Sequence, residues 1–192
     1  MKTRLSLLLL PVLLLAACAA PPPPSPPQPS AVKLDPIGRV IRARGERDQD
    51  DAMGRGIRTA LLQDDSAAFK GVSVLAWDGV VLLSGAVSKP EHRRRAARIA
   101  RDRDGVRVVH DGLVLAEDPG AVTYLADTGR ERRIFAGLMG NDDIAGAYVV
   151  RVVNGIATLL GTTRSAADLA KASAFARDVE GIKWVVEHVE VR

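Results

Sequence analysis

The sequence repeats itself at a spacing of 76 residues, the separation of Asp78-Gly79 from Asn154-Gly155, and no other feature limits the fold as strongly. The two copies align without a gap from residue 78 onward. Other matching pairs are Gly85 and Gly161, Ala96 and Ala172, Asp102 and Asp178, and Val109 and Val185. Self-similarity at a fixed period indicates one structural unit that occurs more than once. The sequence therefore predicts two copies of one small unit.

Each copy predicts the same order of elements. Asp78-Gly79 and Asn154-Gly155 each lie between two apolar runs rich in β-branched residues, which is the pattern of a β-hairpin. After the hairpin come a helix and a final strand, at residues 90–103 and 106–115 in the first copy and at 165–179 and 182–191 in the second. A further helix is predicted before each hairpin, so each unit is αββαβ.

The helix before each hairpin has an apolar stripe. Its members are Met53, Ile57, Ala60 and Leu61 in the first copy and Ile134, Phe135, Leu138 and Met139 in the second. Thr128 and Glu131 have the spacing of a capping box, which predicts that the second of these helices starts at Thr128. Units of about 65 residues are small for a self-sufficient core, so we expect the two to pack against each other.

The N-terminus has the pattern of a bacterial export signal. A basic segment at residues 1–4 precedes an almost unbroken apolar run at 5–16, which is too short to span a bilayer. The run ends in a sequence that resembles the lipobox of lipoprotein precursors: Leu15, Ala16, Ala17, Cys18. The resemblance implies that residues 1–17 are a signal peptide and that Cys18 carries a diacylglycerol and an N-acyl chain; no other cofactor is expected. The alternative is an ordinary secreted protein in which Cys18 is incidental.

Residues 18–47 predict a tether and an arm. Residues 21–29 are almost all proline, which favours an extended polyproline II spacer. Residues 31–47 mix apolar positions with several arginines and predict an irregular arm. Ala19 follows Cys18 where an aspartate would favour inner-membrane retention in some bacteria. The expected location is therefore the periplasmic face of the outer membrane.

Charge and composition exclude several classes of function. The net charge is +4, and loss of residues 1–17 would leave 25 basic and 23 acidic residues. That balance, with 4% aromatic residues, gives no support for nucleic-acid binding. His92, His110 and His188 lie on different predicted elements without metal-ligand spacing, and His110 and His188 are expected at solvated strand ends. No catalytic residue and no metal site is predicted, and we do not expect an enzyme.

The repeated strand–(Asp/Asn)-Gly–strand–Gly segment, the alanine-rich helix and the Gly-Val or Gly-Ile before the last strand resemble BON domains. The resemblance covers residues 48–117 and 127–192, joined by a linker at 118–126. With the lipobox and tether, the chain resembles dual-BON outer-membrane lipoproteins of the DolP type; OsmY-like periplasmic proteins share the domain without the anchor. This implies an α+β fold of two tandem αββαβ units, each a small mixed three-stranded sheet packed with two helices. It also implies a non-enzymatic protein that associates with phospholipid membranes and supports envelope integrity.

The helix before the second hairpin is the candidate membrane contact, and the resemblance points to the same helix. Arg130, Arg132 and Arg133 precede Phe135 and Met139 on it, and cations beside apolar side chains suit an anionic phospholipid interface. The alternative is that the apolar residues belong to the core and the arginines form a solvated face. Exposure of Phe135 and Met139 distinguishes the two interpretations.

A second basic cluster lies on the predicted helix at residues 90–103. Its members are Arg93, Arg94, Arg95, Arg98, Arg101 and Arg103. Arg93 and Arg103 take the places of Leu169 and Val179 in the other copy, so their charged ends either snorkel or meet acidic residues at an interdomain contact. The alternative is a solvated face.

Two functions remain open from the sequence. The first is a lipid-anchored envelope protein whose second domain contacts anionic phospholipid. The second is a periplasmic adaptor or chaperone-like module that binds envelope proteins and touches the membrane only through Cys18. The sequence does not fix the oligomeric state.

Overall fold

The computed structural model describes residues 25–36, 38–116 and 124–192. The expected signal peptide, the lipobox residues Leu15, Ala16 and Ala17, the acylated Cys18 and most of the linker at 118–126 lie outside these residues. Of the described helices, none combines the length and the apolar character needed to cross a bilayer.

The two repeats form the α+β fold that the sequence predicts. The arm contains β1 (Lys33–Leu34) and β2 (Val40–Ile41). The first repeat consists of α1 (Arg44–Phe69), β3 (Val72–Trp77), β4 (Val80–Val87), α2 (Pro90–Arg101) and β5 (Val108–Leu115). The second consists of α3 (Tyr124–Gly140), β6 (Ala147–Val153), β7 (Ile156–Thr163), α4 (Ala166–Asp178) and β8 (Trp184–Val191).

Each repeat has a mixed three-stranded sheet. The strand orders are β3-β4-β5 and β6-β7-β8, and in both the first pair is antiparallel and the second parallel. The hairpin turns need left-handed backbone: Asp78 has a φ of 49° and Asn154 a φ of 54°, and each is followed by a glycine in the same region. A Cβ on Gly79 would lie 2.7 Å from the carbonyl oxygen of Gly105, so the turn also lacks room for a side chain.

Each repeat has its own apolar core between one face of its sheet and its two helices. Ile57 and Leu61 of α1 pack with Ala96 of α2 in the first core. Ile134 and Leu138 of α3 are their counterparts in the second. Complete burial of such a side chain contributes about 1.5–3 kcal/mol, and these cores therefore hold each helix to its sheet.

The sheet faces that carry no helix pack against each other. Trp77, Val80 and Leu82 of the first repeat form a third buried cluster with Leu160 of the second. The indole N–H of Trp77 donates a hydrogen bond of 3.0 Å to Oγ1 of Thr162 across this contact. Because side chains alternate along a strand, each sheet supplies one face to its own core and the other to the partner repeat. The result is a four-layer arrangement of helices, sheet, sheet and helices.

The structure corrects the expectation of an irregular arm over residues 31–47. β1 and β2 pair antiparallel, and α1 already begins at Arg44. Glu46 explains the early start: one carboxylate oxygen accepts the Ala43 N–H at 2.8 Å and the other binds the Lys33 ammonium at 2.5 Å. Glu46 thus caps the first turn of α1 and also links that turn to β1.

The prediction that α3 starts with a capping box at Thr128 and Glu131 is wrong. α3 begins at Tyr124, so both residues lie inside the helix. Glu131 instead accepts the backbone N–H of Val152 at 3.1 Å and pairs with Arg151 at 3.3 Å. Its carboxylate satisfies a donor on a neighbouring strand, which spacing along the chain could not reveal.

Candidate functional site

Large side chains of α3 face the solvent along one stripe. Phe135 is 43% exposed and Met139 is 60% exposed, while Ile134 and Leu138 are 0% and 4% exposed. Arg132 is exposed, and Leu125, which the sequence interpretation missed, is 86% exposed. Leu125, Arg132, Phe135 and Met139 are spaced i, i+7, i+10 and i+14, which places them on one side of a helix with 3.6 residues per turn. We call these four residues the α3 stripe.

The remaining two predicted arginines lie off this stripe. Arg133 is exposed beside it. Arg130 is half-buried, and its guanidinium donates to the Asp127 carboxylate at 2.8 Å and to the Glu180 carbonyl at 3.3 Å. Arg130 therefore holds α3 to the turn between α4 and β8, and its charge is already balanced within the domain.

Packing on the opposite side fixes which face of α3 is outward. Phe175 of α4 lies against Gly137, where an added Cβ would come within 2.0 Å of the ring. Only glycine leaves room for this contact. The ring is part of the second core, so α3 cannot rotate about its axis without losing it. The exposure of Phe135 and Met139 follows from that packing.

A second cluster of charged residues lies where the arm and the two domains meet. The Asp78 carboxylate accepts the N–H of Ser30 at 2.9 Å and its hydroxyl at 2.5 Å, and it pairs with Arg192 at 2.9 Å. Arg107 lies 3.6 Å from Asp78 and 3.3 Å from Glu190. These residues join the first hairpin to the arm and to β8.

Asp50 completes this network within the first domain. Its carboxylate accepts the backbone N–H of Asp78 at 2.8 Å and pairs with Arg42 at 2.6 Å. Burial alone would raise the pKa of Asp78, but the hydrogen bonds from Ser30 and Arg192 and the charge of Arg42 outweigh it, so that the pKa lies below its ordinary value. The Asp78 carboxylate is therefore held ionised in a place with little solvent.

His110 and His188 correct the expectation of solvated strand ends. Their rings stack across the domain interface with centroids 3.6 Å apart and an angle of 12° between planes. Burial lowers the pKa of both, and the charge of His110 lowers that of His188 further. A stack of two imidazoles is stable when both are neutral. Within the described residues no group of three or more metal-ligating side chains comes together.

Three arginines on α2 or just after it bond to other parts of the first domain, and Arg94, Arg98 and Arg101 are exposed. Arg93 pairs with Asp111 on β5 at 2.7 Å, and Arg95 pairs with Asp64 on α1 at 2.5 Å. Arg103 donates to the carbonyl of Gly56 at 3.3 Å. The sequence predicted that Arg93 and Arg103 either snorkel or meet acidic residues at an interdomain contact. Arg93 does meet an acidic residue, but Asp111 belongs to the first domain and not to an interdomain contact.

Comparison with known proteins agrees with the repeated fold. The chain is 29% identical over 146 residues to osmotically-inducible protein Y of Escherichia coli (strain K12), covering 74% of this chain and 73% of that protein. It is 26% identical over 126 residues to an uncharacterised protein in the gshII 5′ region of Anaplasma centrale, covering 65% of this chain and 83% of that one.

A solved structure of CdsD, a structural protein of the type III secretion system of Chlamydia trachomatis, matches with a TM-score of 0.31 and 17% identity. The match covers 74% of this chain and 63% of that one. The BON domain profile matches residues 49–117 and 127–192, which together are most of the sequence. The chain belongs to the BON domain family and carries two copies of the domain.

Proposed function

We propose that this protein is a lipid-anchored component of the cell envelope whose second BON domain contacts anionic phospholipid through the α3 stripe. The acyl chains on Cys18 hold it at the periplasmic face of the outer membrane, and its role there is to support membrane integrity. The observation that carries the proposal is the outward position of Phe135 and Met139 beside Arg132. Membership of the BON domain family is consistent with an envelope protein.

The energetics of the stripe suit a reversible contact. Burying one large apolar side chain contributes about 1.5–3 kcal/mol when burial is complete, and these side chains are already partly buried. Each arginine near an anionic leaflet adds about 1 kcal/mol. The sum is too small for tight binding from bulk solution. A tether that keeps the domain near the bilayer raises the effective concentration of the stripe, which makes a weak contact sufficient.

The test is flotation of a soluble form, residues 25–192, with vesicles containing phosphatidylglycerol. We expect the native sequence to float and Phe135→Ser/Met139→Ser to remain at the bottom, because the apolar part of the contact is lost. Arg132→Glu/Arg133→Glu should act in the same direction by repulsion. Leu62→Ser is the matched control: Leu62 is exposed on α1, at the position that corresponds to Met139.

Equal recovery of all variants would contradict the lipid contact. The adaptor hypothesis would then stand if crosslinking in cells gave specific protein adducts while the soluble form ignored vesicles. Replacing residues 1–18 by a signal peptide that is cut without lipidation separates the two attachments, since the chain without acyl groups should leave membranes if the stripe alone is weak.

A further inference from the structure

A groove of about 690 Å³ lies between the two domains. α1 and β3 form one wall, and α3 and β6 form the other. Asp127 and Glu131 line it, and their carboxylates bond to the backbone of the β6–β7 hairpin. Among the described residues, the lining includes none of the α3 stripe.

The acidic residues of the groove are already neutralised. Asp127 accepts the backbone N–H groups of Asn154 and Gly155, at 2.6 and 3.2 Å, and pairs with Arg130 at 2.8 Å. Glu131 uses one carboxylate oxygen for the Val152 N–H and the other for Arg151. Neither carboxylate is left to balance the other cations of the groove.

Three of the groove cations, Arg55, Arg58 and Lys70, have no acidic partner among the described residues. Arg58 donates only to the carbonyls of Phe69 and Lys70, and burial lowers its pKa. Arg55 and Lys70 line the groove with exposed side chains and form no ion pair there. Arg151 pairs with Glu131, but its Nε–H is buried and has no hydrogen-bond acceptor. A buried donor without an acceptor is costly, so the pairing with Glu131 leaves the guanidinium of Arg151 incompletely satisfied.

We propose that the groove binds a molecule bearing a phosphate group, held by Arg55, Arg58 and Lys70 of the first domain and Arg151 of the second. Guanidinium groups match the oxygens of phosphate in paired hydrogen bonds, and the volume suits a small organic molecule. Both domains supply donors, so the bound anion would also hold the domains together. The site goes beyond the proposed function, since it needs no bilayer and no residue of the α3 stripe.

The test uses the full-length protein, purified in a phosphate-free non-ionic detergent, in titration calorimetry. Inorganic phosphate, glycerol 1-phosphate and glycerophosphoglycerol, the deacylated head group of phosphatidylglycerol, are the three probes. We expect saturable binding of at least one. Arg55→Gln/Lys70→Gln should raise its Kd at least tenfold. Both residues are exposed and without ion-pair partners in the described chain, so the fold should remain, as thermal unfolding will check.

Arg94→Gln/Arg101→Gln is the matched control because it removes the same charge from exposed positions of α2, outside the groove, and its Kd should stay within twofold of the native value. Tighter binding of inorganic or glycerol phosphate would identify a free phosphate ligand, and tighter binding of glycerophosphoglycerol a lipid head group. The proposal is overturned if no probe binds at millimolar concentration, or if both charge-removing pairs weaken binding equally.

Discussion

The two BON domains share their interior and differ on their surfaces. Ile57 and Leu61 of α1 are as buried as Ile134 and Leu138 of α3. In both domains an aspartate of the first helix accepts the backbone N–H of the hairpin turn, at 2.8 Å from Asp50 and 2.6 Å from Asp127. The difference between the copies therefore lies in what each presents outward, and not in how each folds.

One position shows how this difference arises. Gly54 of α1 lies against β3, where a Cβ would be 3.5 Å from the Val74 carbonyl oxygen. The corresponding residue of α3 is Glu131, whose carboxylate reaches across to β6 and binds Arg151. The first helix can lie close to its strand, while the second carries an ion pair there. The interdomain groove gains the Glu131 carboxylate, and its contact with Arg151, from this difference.

The largest expected effect tests whether the apolar cores of the two domains contribute equally to stability. Leu61→Ala and Leu138→Ala should each lower the free energy of unfolding by about 2–5 kcal/mol, because each removes a fully packed side chain. Urea denaturation followed by circular dichroism measures this. Phe135→Ala should change stability by no more than about 0.5 kcal/mol, since its side chain is exposed. A small loss for only one of the two leucines would show that one domain tolerates a cavity that the other does not.

The second effect concerns the charge network around Asp78. The second hairpin has Asn154 at the corresponding position and so lacks this carboxylate. Asp78→Asn should cost about 3 kcal/mol, because it removes the carboxylate that Arg42, Arg107 and Arg192 share in a largely buried place. Asp142→Asn is the control: its ion pair with Arg39 is exposed, so about 0–1 kcal/mol is expected.

The pKa of Asp78 is lowered by folding, so its contribution is present above the unfolded pKa and is lost as the pH falls. The difference between native protein and Asp78→Asn should therefore shrink below about pH 4, the ordinary pKa of an aspartate. A difference that stayed constant down to pH 2 would mean that the charge of Asp78 contributes nothing.

The smallest effect is the pH dependence of the histidine stack. His110 and His188 have pKa values lowered by folding, so the unfolded chain binds more protons at mildly acid pH. Stability should be full above about pH 6.5, the ordinary histidine pKa, and fall as the pH drops from there through the lower folded pKa values. His110→Gln/His188→Gln should flatten this slope between pH 7.5 and 5.5 in denaturant titrations. An unchanged slope would assign it to other groups.

The repeat and the hairpins could be predicted because their signals are local. Asp78-Gly79 and Asn154-Gly155 set the turns, and apolar spacing marked Ile134 and Leu138, so the α+β fold is confirmed. The first residues of the helices were harder to predict than the hairpins, because Glu46 and Glu131 bond to residues of other elements.

Contacts between the domains left no trace in the sequence pattern. Trp77 and Thr162, or Ser30 and Arg192, are distant along the chain and meet only when the sheets pack. The candidate stripe was predicted in part: Phe135 and Met139 could be named, but periodicity alone could not say that they face outward. Leu125 was missed because it precedes the helix start that Thr128 suggested.

Ser30 is the first described point at which the N-terminal arm is bonded to both domains, so a mechanical force applied to the arm would act there first. Its hydrogen bonds to Asp78, and the Arg192 guanidinium that donates to its carbonyl at 2.8 Å, fasten the arm to both domains at one place. A pull on the chain before Ser30, as the proposed lipid anchor would exert, would meet this junction before it reached β1 or the first turn of α1. The force would be divided between the two domains, so they would resist it together instead of unravelling from one end.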